Sequence, residues 1–181
     1  MWYDVERVIL IAGAASGNQP LAAFDYALRR AGIADFNLIK VTSIVPPGVE
    51  IRTLRPGAHP VLGEGRMVPT IYAREDSSEE GAIFSAAVGV GVPIGLKVQA
   101  GLVYVSSGRQ SEAESVRRVE DMVRDGMEVR GTEKYEVVVQ SAGIEVVPPW
   151  SSVTAAAIFC DQDILRLFRP GDVIKLVGNA Y

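Results

Sequence analysis

The chain has little of two residue types on which many active sites depend, cysteine and histidine. Its single cysteine, Cys160, has no partner for an internal disulfide and follows an apolar segment, which is typical of a buried structural thiol. The single histidine, His59, lies in a segment rich in proline and glycine, without a second histidine or a cysteine at ligand spacing. We therefore expect no metal centre, and a serine–histidine triad has little support.

Basic residues and long apolar runs are also scarce. Eighteen lysines and arginines against 22 aspartates and glutamates give a net charge of -4, with an isoelectric point of about 5.1, so the chain has no basic footprint for nucleic acid. No apolar stretch reaches the roughly 18 residues of a membrane-spanning helix, and the N-terminus lacks a secretory pattern. We expect a cytoplasmic protein whose partners include neither nucleic acid nor a membrane.

The apolar content, 48% of 181 residues, is enough for one sizeable core, and its periodicity predicts two helices among many strands. An apolar stripe after Pro20 predicts a helix that ends at Gly32. The capping-box spacing of Ser111 and Glu114 predicts a second helix, which extends to about Arg124 and is stopped by the glycine at 126. Runs rich in valine and isoleucine predict strands at 5–11, 36–41, 67–73, 81–92, 99–106, 127–130, 135–147 and 153–160.

The remaining segments are predicted as loops and a short structured tail. Residues 12–17 and 48–66 carry small residues or prolines without periodicity, so we expect loops there. In the tail, 161–181, the pattern predicts a short helix at 164–168 and a strand at 173–177, which cap the domain or join a subunit interface. Helices and strands that do not alternate strictly favour an α+β layered sandwich with substantial antiparallel pairing.

Thr42 and Ser43 follow the apolar strand predicted at 36–41, which we expect to be buried and which is stopped by Pro46 and Pro47. Because proline excludes both helix and central strand, this hydroxyl pair is predicted to lie in a turn at a strand exit. There the Ser43 hydroxyl can attack the carbonyl of Thr42 and convert the amide to an ester; elimination and hydrolysis then leave a pyruvoyl group. The alternative is that both hydroxyls only bond the local backbone, as in many turns.

Segments spread over residues 8–159 resemble the pyruvoyl-dependent arginine decarboxylases. The opening pattern of that family is similar to Ala12 to Asp25, and its cleavage pair with the following Ile-x-Pro-Pro is similar to Thr42 to Pro47. Shorter similar segments follow in the same order at 68–70, 85–87, 126–131 and 154–157. The resemblance implies a four-layer αββα sandwich with largely antiparallel sheets, in one domain over 1–181 that cleaves itself between residues 42 and 43. Residues 161–181 have no counterpart and form a C-terminal extension.

The resemblance also implies roles for single residues. Ser43 would become the self-derived pyruvoyl cofactor, an electron sink that replaces a separate cofactor, and Thr42 would end the shorter chain. Asn37 matches an asparagine beside the pyruvoyl site, and even spacing from Ser43 places both on one strand face if the strand stays regular. Asp25 matches an aspartate that faces the substrate guanidinium, and its alternative is an exposed helix residue.

One departure from the family concerns the proton donor on the strand before the second helix. The family's acidic position falls here on Val105 or Tyr104, neither of which is a carboxylic acid, and a second family acid appears as Ala82. Tyr104 is a possible weaker donor, although it equally fits a packed aromatic on a strand face. A carboxylate of a neighbouring subunit is a further candidate, from among Glu64, Glu79 and Glu80.

Three functions remain open from the sequence. The first is a self-processing decarboxylase, a lyase that converts L-arginine to agmatine and CO2 for polyamine biosynthesis. The second is an unprocessed or catalytically degenerate homologue that acts as a binding or regulatory subunit, and the third is a decarboxylase for another amino acid. The resemblance implies a homotrimer or a dimer of trimers, with an amino acid as the small-molecule substrate.

Overall fold

The computed structural model describes residues 4–61, 63–95 and 99–177, and these form two stacked β-sheets between layers of helix. The strands are β1 Arg7–Gly17, β2 Phe36–Lys40, β3 Ile44–Val45, β4 Glu50–Leu54, β5 Arg66–Ser77, β6 Ile83–Pro93, β7 Gly101–Gly108, β8 Tyr135–Glu145, β9 Trp150–Cys160 and β10 Val173–Val177. The helices are α1 Pro20–Ala31, α2 Glu112–Val129 and α3 Gln162–Leu165. Within these described ranges, no helix is long and apolar enough to cross a membrane.

The strands divide into a sheet of six and a sheet of four. The larger has the order β10-β4-β1-β9-β5-β2, and the smaller has the order β3-β7-β6-β8. Neighbouring strands run antiparallel except for β1 with β4 and β2 with β5, which are parallel. The short strands β2 and β3 end their sheets, and β5 and β7, their neighbours, face each other through the contact of Ser107 with Arg74.

Three apolar clusters hold the layers together. The largest fills the space between the sheets, with Val8, Ile51 and Val103 completely buried. The second lies between the six-stranded sheet and α1 with α3, and the third lies between the four-stranded sheet and α2. The expected αββα sandwich with largely antiparallel sheets is confirmed, and each predicted helix covers the outer face of one sheet.

Strand β1 continues through residues 12–17, so the predicted loop there is wrong. The small residues in this stretch allow α1 to pack directly on the strand: an added Cβ at Gly13 would lie 2.9 Å from the backbone nitrogen of Ala31. At Gly17 the corresponding distance, to the nitrogen of Ala23, is 2.7 Å. The same segment pairs with β9 along its whole length, which is why it is a strand despite low strand propensity.

Two further boundaries differ from the prediction. The segment 48–66 contains β4, whose residues pair with β1 on one side and β10 on the other, so it is not entirely loop. Helix α2 runs to Val129, and the predicted strand at 127–130 is wrong. Gly126 does not stop the helix; it provides space, since an added Cβ would lie 2.8 Å from the side chains of Leu102 and Tyr104.

The helix boundaries that depend on caps follow the sequence. Pro20 opens α1, and Gly32 ends it in the left-handed conformation at φ 83°. Ser111 and Glu114 form a complete capping box at the start of α2. In the tail, α3 and β10 form near the predicted places, and β10 pairs with β4 at the edge of the larger sheet.

Candidate functional site

The chain passes from one sheet to the other at residues 41–43, which contain the predicted cleavage pair. The backbone N–H of Val41 donates to the carbonyl of Thr70 on β5 at 3.1 Å. On the other side of the pair, the carbonyl of Ser43 accepts from the N–H of Val103 on β7 at 2.9 Å. The bond between Thr42 and Ser43 therefore lies between two segments that are held by different sheets.

Both hydroxyl residues lie at an accessible place. Thr42 is exposed and Ser43 is half-buried in a bend, immediately before the two-residue strand β3. The preceding strand was predicted to be buried, but β2 is an edge strand whose residues Ile39 and Lys40 are exposed. The other edge strand, β3, has only two residues because Pro46 and Pro47 follow it directly.

Asn37 lies on β2 with an exposed side chain. Its Nδ2 donates to the carbonyl of Gly65 at 2.8 Å, which fastens β2 to the turn that precedes β5. Because β2 ends at Lys40, strand alternation does not extend from Asn37 to Ser43, and the regular-strand condition for placing them on one face is not met. The same amide retains a second N–H and an oxygen at the surface.

Asp25 and Tyr104 lie on opposite sides of the sandwich. Asp25 is exposed on α1, outside the six-stranded sheet. The Tyr104 ring belongs to the apolar cluster beneath α2, outside the four-stranded sheet. Since two sheets, about 10 Å apart, separate these layers, one chain does not bring both side chains to one substrate.

Tyr104 lines an open cleft that the sequence did not reveal. The cleft has a volume of about 570 Å³; α2 contributes Asp125 to it, and Arg130 lines it from the position just after the helix. Gly126 makes room for the tyrosine ring. A glycine inside the helix was therefore the one sequence feature that could have indicated this close packing. Val105, the next residue on β7, points the other way and packs against the core between the sheets.

The other positions considered for the proton donor are dispersed. Ala82 and Val105 are apolar residues where the family carries acids. Ala82 is buried, and Val105 is half-buried against apolar side chains. Glu79 is exposed and paired with Arg109 at 2.8 Å. Glu64 and Glu80 are exposed as well.

One carboxylate between the sheets was missed. Glu75 is half-buried on β5 and contacts the hydroxyl of Ser107 at 3.4 Å. Ser107 lies four residues, or about 13 Å, along β7 from the Val103 that binds Ser43. That separation excludes direct proton transfer from Glu75 to a substrate at Ser43 of the same chain.

The structure fits a self-derived group better than a metal or a cysteine nucleophile. Within the described part of the chain, no three histidine, cysteine, aspartate or glutamate side chains are grouped to hold a metal ion. Burial raises the pKa of the Cys160 thiol far above its ordinary value, which leaves it unreactive. Ser43, in contrast, stands at an accessible bend whose flanks are fastened on both sides.

Comparison with known proteins gives a consistent result. Residues 7–164 match the sequence profile of the pyruvoyl-dependent arginine decarboxylases. The pyruvoyl-dependent arginine decarboxylase of Pyrococcus furiosus is 36% identical over 159 residues, which cover 87% of this chain and 98% of the relative. That of Pyrococcus horikoshii is 37% identical over 87% of this chain and 96% of the relative. That of Methanocaldococcus jannaschii is 41% identical over 70% and 73%, respectively.

Proposed function

Because the chain belongs to the pyruvoyl-dependent arginine decarboxylase family, we propose that it is a self-processing decarboxylase that converts L-arginine to agmatine and CO2. This reaction would supply polyamine biosynthesis in the cytoplasm. The single observation that carries the proposal is the position of Thr42 and Ser43, at an accessible bend between two edge strands that are each hydrogen-bonded to a different sheet.

Processing starts from the Ser43 hydroxyl, which attacks the carbonyl carbon of Thr42. The C–N bond breaks, an ester forms, and the nitrogen becomes a free amine. Elimination then breaks the ester C–O bond and releases residues 1–42 with a terminal carboxylate. The dehydroalanine that remains takes up one water and loses one ammonia, which leaves the pyruvoyl group on residues 43–181. The N–H of Val103 holds the Ser43 carbonyl during these steps.

The residues around the substrate have separate tasks. When formed, the pyruvoyl group supplies a carbonyl that accepts the electron pair released with CO2. Asp25 recognises the guanidinium, because a carboxylate matches its planar fork of N–H donors. Asn37 orients a carbonyl or stabilises an oxyanion with the N–H that its bond to Gly65 leaves available. Tyr104, or a carboxylate of a neighbouring subunit, returns the proton.

Assembly of a homotrimer, or a pair of trimers, completes this site. Four exposed apolar side chains lie along the edge that carries Ser43: Met67 is 68% exposed, Ile39 44%, Ile44 43% and Val41 38%. Such a patch beside two unpaired strand edges is typical of a surface that is covered by another subunit. Asp25 and Tyr104 lie on opposite outer layers of one chain. A site that uses both side chains would therefore take at least one of them from a neighbouring chain.

The first test is the intact mass of the purified protein under denaturing conditions. We expect a fragment of residues 1–42 and a fragment of residues 43–181 that is lighter by one ammonia than a serine-terminated chain. Ser43→Ala should give one full-length chain, whereas Ser78→Ala, at an exposed serine of another adjacent pair, should process normally. A full-length wild-type chain, or a fragment with an ordinary serine at its start, would overturn the proposal.

The second test concerns the substrate. Release of CO2 from arginine, lysine and ornithine should be strongest for arginine and absent from the Ser43→Ala variant. Processed protein that acts on another amino acid alone would retain the mechanism and refute arginine as the substrate. No CO2 release from any of the three amino acids would favour a degenerate binding subunit, the alternative motivated by Ala82 and Val105 standing where the family carries acids.

The third test asks whether two chains share one site. Asp25→Asn and Ser43→Ala proteins are each expected to be inactive alone, and mass measurement must first show that Asp25→Asn still processes. When the two variants are co-expressed in equal amounts, about a quarter of the sites in random trimers would combine an intact Ser43 with an intact Asp25 of a neighbour. No recovered activity would place both residues of a site in one chain, contrary to the assembly proposed.

A further inference from the structure

A cleft of about 350 Å³ lies between the larger sheet and the segment that follows β9. Arginines line it from both sides: Arg7 on β1 and Arg52 on β4 face Arg166 and Arg169 of the tail segment. No aspartate or glutamate is among the described residues that line it. Four arginine side chains thus border one small space in a chain whose net charge is -4.

The carboxylates behind this cleft do not neutralise its arginines. Glu50 alone serves three cations, because its Oε2 accepts from the Nε of Arg7 at 3.3 Å and from Arg52, and its Oε1 lies 3.3 Å from Lys175. Partial burial on its own would raise the pKa of Glu50, but the hydrogen bonds from Arg52, Arg7 and Lys175 outweigh it and keep that pKa below the ordinary value. Glu50 is therefore ionised at neutral pH, and still supplies one negative charge against three positive ones.

On the tail side, one of the two arginines adds charge that no carboxylate of the described residues compensates. Arg166 pairs with Asp163 at 3.2 Å in an exposed contact. Arg169 is exposed and makes no ion pair within the part of the chain that the structure describes. Arg7 contacts Glu50 through its Nε, which leaves its two terminal amino groups available as hydrogen-bond donors.

We propose that this cleft binds a small organic polyanion that carries carboxylate or phosphate groups. Guanidinium groups bind both kinds of oxyanion in a bidentate fork, and several of them together suit a ligand with more than one negative charge. Leu165 and Phe168 form an apolar part of the wall, which favours an organic anion over a bare ion. Arg166 and Arg169 follow the end of the family match at residue 164, so this is a feature of the chain's own tail.

The cleft is independent of the proposed active site. In the order of the larger sheet, β4 and β2 are separated by four strand spacings, which is about 19 Å. Ser43 follows β2, whereas the arginine cleft lies at β1 and β4. Failure of self-processing would therefore leave the binding proposal intact, and failure of binding would leave the enzyme proposal intact.

Calorimetric titration tests the proposal with citrate, inorganic phosphate and pyrophosphate as probes. The Ser43→Ala protein is titrated beside the wild type, because it keeps the cleft and removes binding at a pyruvoyl group. We expect saturable binding of at least one probe to both proteins. Binding of phosphate and pyrophosphate alone would identify phosphate esters as the ligand class, and binding of citrate alone would identify polycarboxylates.

Two variants distinguish binding in the cleft from a general effect of the protein's positive charges. Arg169→Gln should weaken binding about tenfold or more, because a charged hydrogen-bonding group is lost. Arg118→Gln, at an exposed arginine of α2 on the opposite side of the sandwich, should change it less than about twofold. Equal thermal midpoints without ligand show that both variants fold. Absence of saturable binding by every probe, or equal weakening in both variants, would overturn the proposal.

Discussion

Replacing Gly89 by alanine tests how the four-stranded sheet is positioned against α2. Gly89 lies on β6, and an added Cβ would overlap Cγ1 of Val119 and lie 3.4 Å from Cγ2 of Val123. Both valines are completely buried, so neither methyl group can turn toward solvent. The helix would have to move away from the sheet or the valine would have to leave its preferred rotamer.

The magnitude follows from two opposing effects. Overpacking a close-packed site costs about 1–3 kcal/mol, and the smaller unfolded-state entropy of alanine returns roughly 0.5–1 kcal/mol. We expect a net loss of about 1–2 kcal/mol, which lowers the thermal midpoint by roughly 2–8 °C in a chain of this size. Val119→Ala alone should cost about 2–3 kcal/mol, because it removes two buried methyl groups and leaves a cavity.

The double variant decides whether the contact is the cause. Gly89→Ala with Val119→Ala places the new methyl in the vacated space, so the pair should be more stable than the sum of the single losses by about 1–2 kcal/mol. All variants carry Ser43→Ala, which keeps the chain uncut. They are compared by thermal denaturation at one protein concentration. Gly143→Ala is the control, since its Cβ would meet the side chain of Glu112 at 3.3 Å and the carbonyl oxygen of Phe84 at an ordinary contact distance of 3.8 Å. Additive losses would refute this explanation.

Two predictions concern ionisable groups. Since Cys160 is buried and burial raises the pKa of its thiol, we expect no reaction with Ellman's reagent in the native protein at pH 8 and complete reaction in denaturant; rapid native labelling would show that this side of the sheet opens. The pKa of Glu50 is lowered in the fold, so its contribution to stability is present above an ordinary glutamate pKa and is lost as the pH falls through the lower folded value. Glu50→Gln should therefore cost about 1–2 kcal/mol at pH 7, and the difference in thermal midpoint from wild type should shrink below about pH 4. A difference that stays constant with pH would contradict this role.

The sequence was most informative where structure depends on local chemistry. Pro20 and Gly32 bound α1, and the capping box of Ser111 and Glu114 starts α2, because these residues act within one or two turns of the chain. Thr42 and Ser43 were placed in a turn for a similar reason, since two following prolines limit the conformations of a few neighbouring residues. The α+β class followed from helices that do not alternate with strands, and the αββα order of layers was implied by the family resemblance.

The errors concern contacts between segments distant in the chain. Residues 12–17 form a strand because β9 pairs with them and α1 packs closely over their glycines, and neither partner is visible in the local pattern. Strand β4 exists because β1 and β10 flank it. Asp25 and Tyr104 lie on opposite layers because of how the two sheets stack. The spacing of these residues along the chain gave no indication of that separation.

The topology would allow the chain, if cut between Thr42 and Ser43 as proposed, to remain one folded unit. The fragment 1–42 contains β1, α1 and β2, and the other fragment contains the remaining strands. In the larger sheet β1 lies between β4 and β9, pairing with β9 through eleven consecutive residues from Arg7 to Gly17. The shorter fragment is therefore central to the sheet, and its release would expose the apolar clusters on both faces of the sheet. The backbone hydrogen bonds of Val41 and Ser43 lie on either side of the cut and belong to different sheets. Cleavage would therefore remove no hydrogen bond between strands at this position. It follows that dissociation of the fragments requires global unfolding, so they should separate under denaturing conditions and elute together from a sizing column under native ones.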